Sequence, residues 1–411
     1  MPSSHSQTAA RAASHPSAAE LGEVVVQDVR SQGSPGLVRR ALLKLLGSAE
    51  SLVRGQASAA GSDLSIHPEA PPLTGPEPFG GTRRLSLALQ GGGAFGAFTW
   101  GVLDRLLEGD DLELDAVSGA SAGAINAVLL AAGLAKGGPD EARASLERFW
   151  RGVGEAATKN LLLHPDLVIA TASQLSPYQF NPLDLNPLRD LLAQEVDFEA
   201  IRTRSPVRLL VSATRVQDGA LRVFRAKAIS LEVVLASACL PRLHHSVNIH
   251  GEPHWDGGYA ANPPVLPLVG ASRTADVLLV QLIPTDHAGL PVTKPEIDKR
   301  LGQIAFNAPL QKELEAIGAM KKLLRKEGEP ASLLGRKIQS LRLHHLSAED
   351  HVDGLSQASV LNTQWSFLTD LRDRGRAAAD AWLSNAFALT SRELGQATLA
   401  AQKGGIAGYA A

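Results

Sequence analysis

The run Val117-Ser118-Gly119-Ala120-Ser121-Ala122-Gly123-Ala124 constrains the fold of this chain more than any other stretch. An apolar approach enters Gly-x-Ser-x-Gly, and the helix-forming residues Ala124 to Ala132 follow at once. A strand passes into a helix that abruptly only through a tight turn. Glycines two positions either side of the serine remove the Cβ atoms that would hold strand and helix apart. A helix that starts there aims its unpaired N–H groups and the positive end of its dipole at the serine. The segment therefore predicts a nucleophile elbow, with Ser121 on the turn and Gly119 and Gly123 as its close-packed flanks.

Upstream, Leu85 to Gln90 reads as a short buried strand. The loop Gly91-Gly92-Gly93-Ala94-Phe95-Gly96 then opens a helix from about Ala97 to Glu108. Successive N–H groups of a glycine-rich loop can converge on one point. Two uses fit: a phosphate cradle, or an oxyanion hole for the tetrahedral intermediate of acyl transfer. Gly91, Gly93 and Gly96 satisfy the dinucleotide pattern G-x-G-x-x-G. Such a site would next need an acidic residue ending the second strand. Here that strand, roughly Asp115 to Ser118, ends in the serine elbow, and Glu113 and Asp115 come too early. The oxyanion hole is the favoured reading, with Gly91, Gly92, Gly93 and Gly96 as its candidate residues.

The third piece is Trp255-Asp256-Gly257-Gly258-Tyr259, followed by Asn262-Pro263-Pro264. Asp-Gly-Gly alone is ordinary turn chemistry. Its setting is more specific. Ala236 to Pro241 reads as a helix end stopped by proline, and His250-Gly251-Glu252 as a hairpin turn that delivers Asp256 to a strand end.

Taken together, the three motifs resemble those of the patatin-like phospholipases over roughly residues 85 to 285. The Gly91–Gly96 loop is similar to that family's oxyanion motif, Gly119–Gly123 to its elbow, and Asp256-Gly257-Gly258 to its Asp-Gly-Gly/Ala motif. Leu361 to Leu368 resembles a bacterial subgroup with a C-terminal helical extension. Phe95 departs from the pattern, since many members carry a basic residue there. The resemblance implies a Ser121–Asp256 dyad, with Ser121 as nucleophile, Asp256 as base, and mainly Gly92 and Gly93 supplying the oxyanion hole. It implies a lipid acyl hydrolase that cleaves carboxylic ester bonds of phospholipids or related lipids through an acyl-serine. A soluble serine esterase or thioesterase on a smaller acyl substrate, and a catalytically silent lipid-binding protein, stand as alternatives. The dyad has no need of a cofactor or metal.

A catalytic triad is the obvious competitor. The histidines after Asp256 are His287, His344, His345 and His351, and no glycine-bounded loop marks any of them out. His244, His245 and His254 fall near Asp256 in sequence and are candidates to line the cleft. The adjacent pairs 244–245 and 344–345 are poorly spaced to chelate a metal together. Cys239, the only cysteine, excludes an intramolecular disulfide and sits in an apolar stretch as a core residue. A net charge of −2 over 411 residues gives no basic field for nucleic acid.

Strands Val207–Thr214, Ala220–Phe224 and Ala275–Leu282 alternate with helical stretches such as Glu141 to Val153. That order predicts an α/β fold: a three-layer α/β/α sandwich with a largely parallel central sheet. Residues 82–285 form the expected catalytic domain and 286–411 a mostly helical extension packing on the core, its charges marking a solvated face. Residues 1–81 are expected to hold a disordered tail, a basic amphipathic helix at 37–54 and a Pro/Gly-rich linker. The helix suits peripheral contact with anionic lipid or docking on a protein. Leu161 to Asn186, with three prolines, reads either as the wall or lid of an acyl cleft or as a surface excursion. Neither a secretory signal nor an apolar run of membrane-spanning length is evident, so a cytoplasmic protein, peripheral on membrane or exported without a cleaved signal, is expected.

Overall fold

The computed structural model describes residues 83–159, 175–286, 289–349 and 357–388. The 37–54 segment, residues 160–174, His287 and His351 lie outside the described residues. In chain order the first elements are β1 (Arg83–Leu89), α1 (Gly96–Leu106), β2 (Leu112–Gly119) and α2 (Ala122–Lys159). Next come α3 (Pro177–Phe180), α4 (Pro187–Glu195), α5 (Phe198–Arg204), β3 (Arg208–Arg215), β4 (Leu221–Arg225) and α6 (Leu231–Ser237). The hairpin β5 (Val247–Ile249) and β6 (Glu252–Asp256) leads to α7 (Val265–Ala271) and β7 (Asp276–Gln281). The chain closes with α8 (Lys294–Glu327), α9 (Leu333–Ser340), β8 (Arg342–Ser347) and α10 (Trp365–Ala388).

These strands make one mixed sheet in the order β5-β6-β3-β2-β1-β7-β8, with β4 also pairing β3. The run β3-β2-β1-β7-β8 is parallel throughout. Strand β4 pairs antiparallel with β3 on the edge away from β2, while β6 pairs antiparallel with Ala213–Arg215 of β3 on the β2 edge, just past the end of β2, and β5 pairs with β6. The sheet is thus mostly parallel and flanked by helices, as the alternation of elements predicts. Leu87, Leu89, Val117, Leu209, Leu278 and Val280 are buried, as expected where helices cover both faces of a parallel sheet.

The C-terminal segments do more than cover the core. Strand β8 continues the sheet beside β7, in register from Asp276↔Arg342 to Gln281↔Ser347. Helix α10 packs along α1, where Trp365 meets Trp100 at 6.1 Å between ring centroids. In the first turns of α8 the solvated face carries apolar side chains beside its charges: Ile297, Leu301 and Ile304 stand exposed. Helix α2 runs through the stretch expected to start at Glu141, with a break in helical backbone at Gly137-Gly138. Among the described residues, no helix is long and apolar enough to cross a membrane.

One register positions the site. Leu89 pairs with Gly119, so β1 and β2 end level and release the glycine loop and the serine turn side by side. Crevices beyond the carboxyl ends of parallel strands are where α/β sheets place their ligands.

Candidate active site

Ser121 sits between the end of β2 and the first turn of α2 with φ at 53°. Left-handed backbone costs a non-glycine residue roughly 1–2 kcal/mol and must be held by its surroundings. Here the hold is tight. The Ser121 N–H donates to the carbonyl (3.1 Å) and Oγ (3.0 Å) of Ser237, at the end of α6. A Cβ on Gly119 would lie 2.5 Å from the Gly123 carbonyl group, so strand and helix pass as closely as the elbow motif requires.

The four glycines of the neighbouring loop divide by what their amides do. The Gly91 N–H donates to Asn262 Oδ1 at 2.7 Å, and the Gly96 N–H to the carbonyls of Gly93 and Ala94. Those two amides are occupied, which removes Gly91 and Gly96 from the expected set of oxyanion donors and leaves them a part in the loop's shape. A Cβ on Gly91 would stand 2.6 Å from the Ser121 Cβ, so this position admits no side chain. The amides of Gly92 and Gly93 donate to no acceptor among the described residues, and neither does that of Ala122, the first residue of α2. Gln90 anchors the loop from behind. Its Oε1 accepts from the N–H groups of Leu282 (2.7 Å) and Ile283 (2.9 Å), and its Nε2 donates to Asn307 Oδ1 (2.9 Å).

Asp256 ends β6 opposite Ala213 of β3 and is fully buried. Its backbone is pinned on both sides: its N–H donates to the Cys239 carbonyl at 2.8 Å, and its carbonyl accepts from Thr214 Oγ1 at 2.7 Å. The turn Gly257–Tyr259 folds back so that the Gly258 N–H donates to Asp256 Oδ1 at 2.7 Å. Oδ2 is buried without a hydrogen-bond partner of ordinary length among the described residues. Burial lifts the carboxyl to about 7, while the Gly258 N–H and the nearby Ser121 side chain pull it partly back. The structure therefore places the buried Asp256 carboxyl near a left-handed Ser121 at a helix N-terminus.

Four of the described histidines have ring-nitrogen partners other than Ser121 and Asp256. His344 and His345 lie on β8, three strands from β2, with their Nε2 atoms on Asp276 and Gln281 at 2.9 and 3.0 Å. His254 is buried with Nδ1 on its own strand's Glu252 carbonyl. His245 contacts the Pro177 carbonyl and stacks on Tyr178. Burial and the Asp256 charge push the Cys239 thiol up to about 12, which suits a core residue and not a nucleophile. Phe95 is buried and packs near Phe367 of α10, 6.5 Å between centroids, in surroundings that would not accept a cation. No cluster of potential metal ligands occurs among the described residues.

A family model described as patatin-like phospholipase matches residues 87–269. This chain carries a patatin-like phospholipase domain. Among solved structures, VipD from Legionella pneumophila aligns over 72% of this chain and 67% of its own, at 15% identity and a TM-score of 0.34. A search of curated proteins finds no match. The matched span takes in the glycine loop, the elbow and the Asp-Gly-Gly turn, and the patatin-like family is one of lipid acyl hydrolases.

Asn262, which follows the Asp-Gly-Gly turn, has a role in the patatin-like domain that its place in the sequence does not reveal. It is buried, its Oδ1 fixes Gly91, and its Nδ2 donates to the Phe306 carbonyl of α8 at 3.2 Å. Asn262→Ala strands the Gly91 N–H and loosens the loop beside Ser121. The expected result is a kcat for a soluble ester lower by about 10- to 100-fold with little change in KM. Steady-state kinetics check it, and an unchanged kcat would assign Asn262 to folding alone.

Proposed function

We propose that Ser121 and Asp256 form a catalytic dyad that hydrolyses carboxylic ester bonds of lipids. The observation that carries this reading is the pairing of a left-handed, helix-N-terminal Ser121 with a fully buried Asp256 lifted to about 7. A carboxylate with an ordinary pKa is a feeble base, and burial raises it to where it is both ionised and basic near neutrality.

In the proposed reaction Ser121 Oγ attacks the ester carbonyl carbon as Asp256 Oδ2, free of other partners, takes the hydroxyl proton. Negative charge collects on the former carbonyl oxygen, which faces the free amides of Gly92 and Gly93, with Ala122 as a further donor. Such preorganised donors typically contribute about 100- to 1000-fold each. Collapse breaks the bond to the alcohol, which leaves with the proton from Asp256, and the acyl group stays on Ser121. Water then attacks the acyl-serine, giving its proton to Asp256. The second collapse releases the fatty acid and returns the proton to Ser121. One carboxyl serves both half-reactions, so no histidine is required.

A fluorophosphonate probe tests the nucleophile directly, since it phosphonylates an activated serine. Wild-type protein should gain one adduct, mapped by mass spectrometry to the peptide containing Ser121. Absence of labelling, or an adduct on another serine, overturns the assignment.

A further inference from the structure

Exposed large hydrophobic side chains are not scattered over the described residues. Leu333 apart, all of them fall in two stretches, residues 175–185 and 259–304. The first is fastened to the loop that carries the Asp256 hydrogen-bond partner Cys239, through Tyr178 stacked on His245 at 4.2 Å and its hydroxyl on Ser246. The second starts at Tyr259, three residues after Asp256, and continues into the beginning of α8.

Helix α8 changes character along its length. From Phe306 to Glu313 it backs the site. The Phe306 ring meets Tyr259 at 4.8 Å, its carbonyl accepts from Asn262, Asn307 holds Gln90, and Glu313 accepts the N–H groups of Val265 and Leu266 that open α7. One turn earlier the same helix faces solvent with an apolar stripe. Ile297, Leu301 and Ile304 recur at the spacing of one helical face and are 41%, 59% and 48% exposed. The preceding loop adds Leu290 at 83% and Val292 at 73%. Side chains of that kind, held in water beside a site for an apolar substrate, match the apolar face of a monotopic element lying in the interface plane.

Resting on the reading of the site as a lipid acyl hydrolase, we infer that Leu290, Val292 and the Ile297–Leu301–Ile304 stripe of α8 seat the domain on a lipid–water interface. The occupant is the lipid surface itself. Continuity carries this choice: the helix that presents the stripe is hydrogen-bonded to Gln90, which leads into the glycine loop, and to Asn262, and packs on Tyr259 of the turn after Asp256. Seating α8 thus brings the mouth of the site to the bilayer and lets a lipid pass to Ser121 with little exposure to water. Lys294, at the edge of the stripe, is paired with Asp298 at 2.6 Å, so apolar insertion and not headgroup charge dominates the contact.

The test uses the full chain with Ser121→Ala, so binding is read without turnover, and vesicles of neutral phosphatidylcholine, so the basic 37–54 segment gains no electrostatic advantage. Co-sedimentation in about 0.5 M salt should be retained. Adding Leu290→Ser, Leu301→Ser and Ile304→Ser should lower partitioning by at least about tenfold, while Leu333→Ser leaves it unchanged. Independently, a nitrobenzoxadiazole dye on Leu301→Cys should shift to the blue when vesicles are added, buried Cys239 remaining unlabelled. Equal binding by the triple variant, or a dye that stays in water, overturns the inference. A dimer that the triple variant splits into monomers also overturns it and assigns the stripe to a second copy. Failure here leaves the fluorophosphonate result untouched, and a wrong nucleophile leaves vesicle binding untouched.

Discussion

Ser121→Ala is expected to lower ester turnover by about 10,000-fold or more without lowering the melting temperature. Losing a nucleophile removes the covalent route altogether, and the residual rate comes from substrate binding and oxyanion donors acting on water. Stability should hold for a local reason. The Ser121 amide, not its hydroxyl, makes the two contacts with Ser237 that pin the elbow, and alanine keeps that amide. Ser121→Gly separates strain from chemistry further. It relieves the left-handed cost of roughly 1–2 kcal/mol but adds about 0.5–1 kcal/mol of unfolded-chain freedom. It should therefore be as inactive as Ser121→Ala and melt no lower than wild type. Turnover of a p-nitrophenyl ester and thermal melts of the three proteins check both halves. Hydrolysis by Ser121→Ala within tenfold of wild type would remove Ser121 from the reaction.

What the chain's own order reveals, and what it conceals, follows sequence distance. The elbow, the glycine loop and the strands around them are legible because each is a local contract between neighbours: an apolar run, a glycine pair, a helix start. The contacts that finish the site are not local. Asn262 reaches Gly91 across 171 residues and Asn307 reaches Gln90 across 217, and neither pair has a spacing to recognise. The split of the four glycines into two occupied and two free amides is likewise invisible, because it depends on which carbonyl or amide oxygen folds against each. The stripe on α8 is a different kind of failure. Its spacing is plain in Ile297, Leu301 and Ile304, but an amphipathic period says only that one face is apolar, not that protein will cover it.

Asp256→Asn should have the second large effect, and its signature is a pair of opposite pH dependences. As the base, Asp256 must be ionised. Wild-type kcat/KM should fall about tenfold per pH unit below about 7 and level off above it. Asp256→Asn should lose about 1000-fold or more on the plateau. Stability runs the other way. Folding raises this carboxyl from its ordinary 3.8 to about 7, so the folded chain holds the proton more tightly than the unfolded one. The resulting stabilisation is complete below pH 3.8 and is lost as pH rises through 7, on the order of 4 kcal/mol in all. Asparagine keeps the acceptor for the Gly258 N–H and never ionises. The variant should accordingly melt above wild type at pH 8, with the gap closing towards pH 5. Glu313, a partly buried carboxyl lifted to about 7 by desolvation, tilts both proteins alike, so the difference between them isolates Asp256. Esterase profiles and thermal melts from pH 5 to 9 decide the matter. A variant whose melting temperature tracks wild type across that range would mean that Asp256 does not carry the raised pKa. A rate profile with no break near 7 would take the proton-accepting role from it.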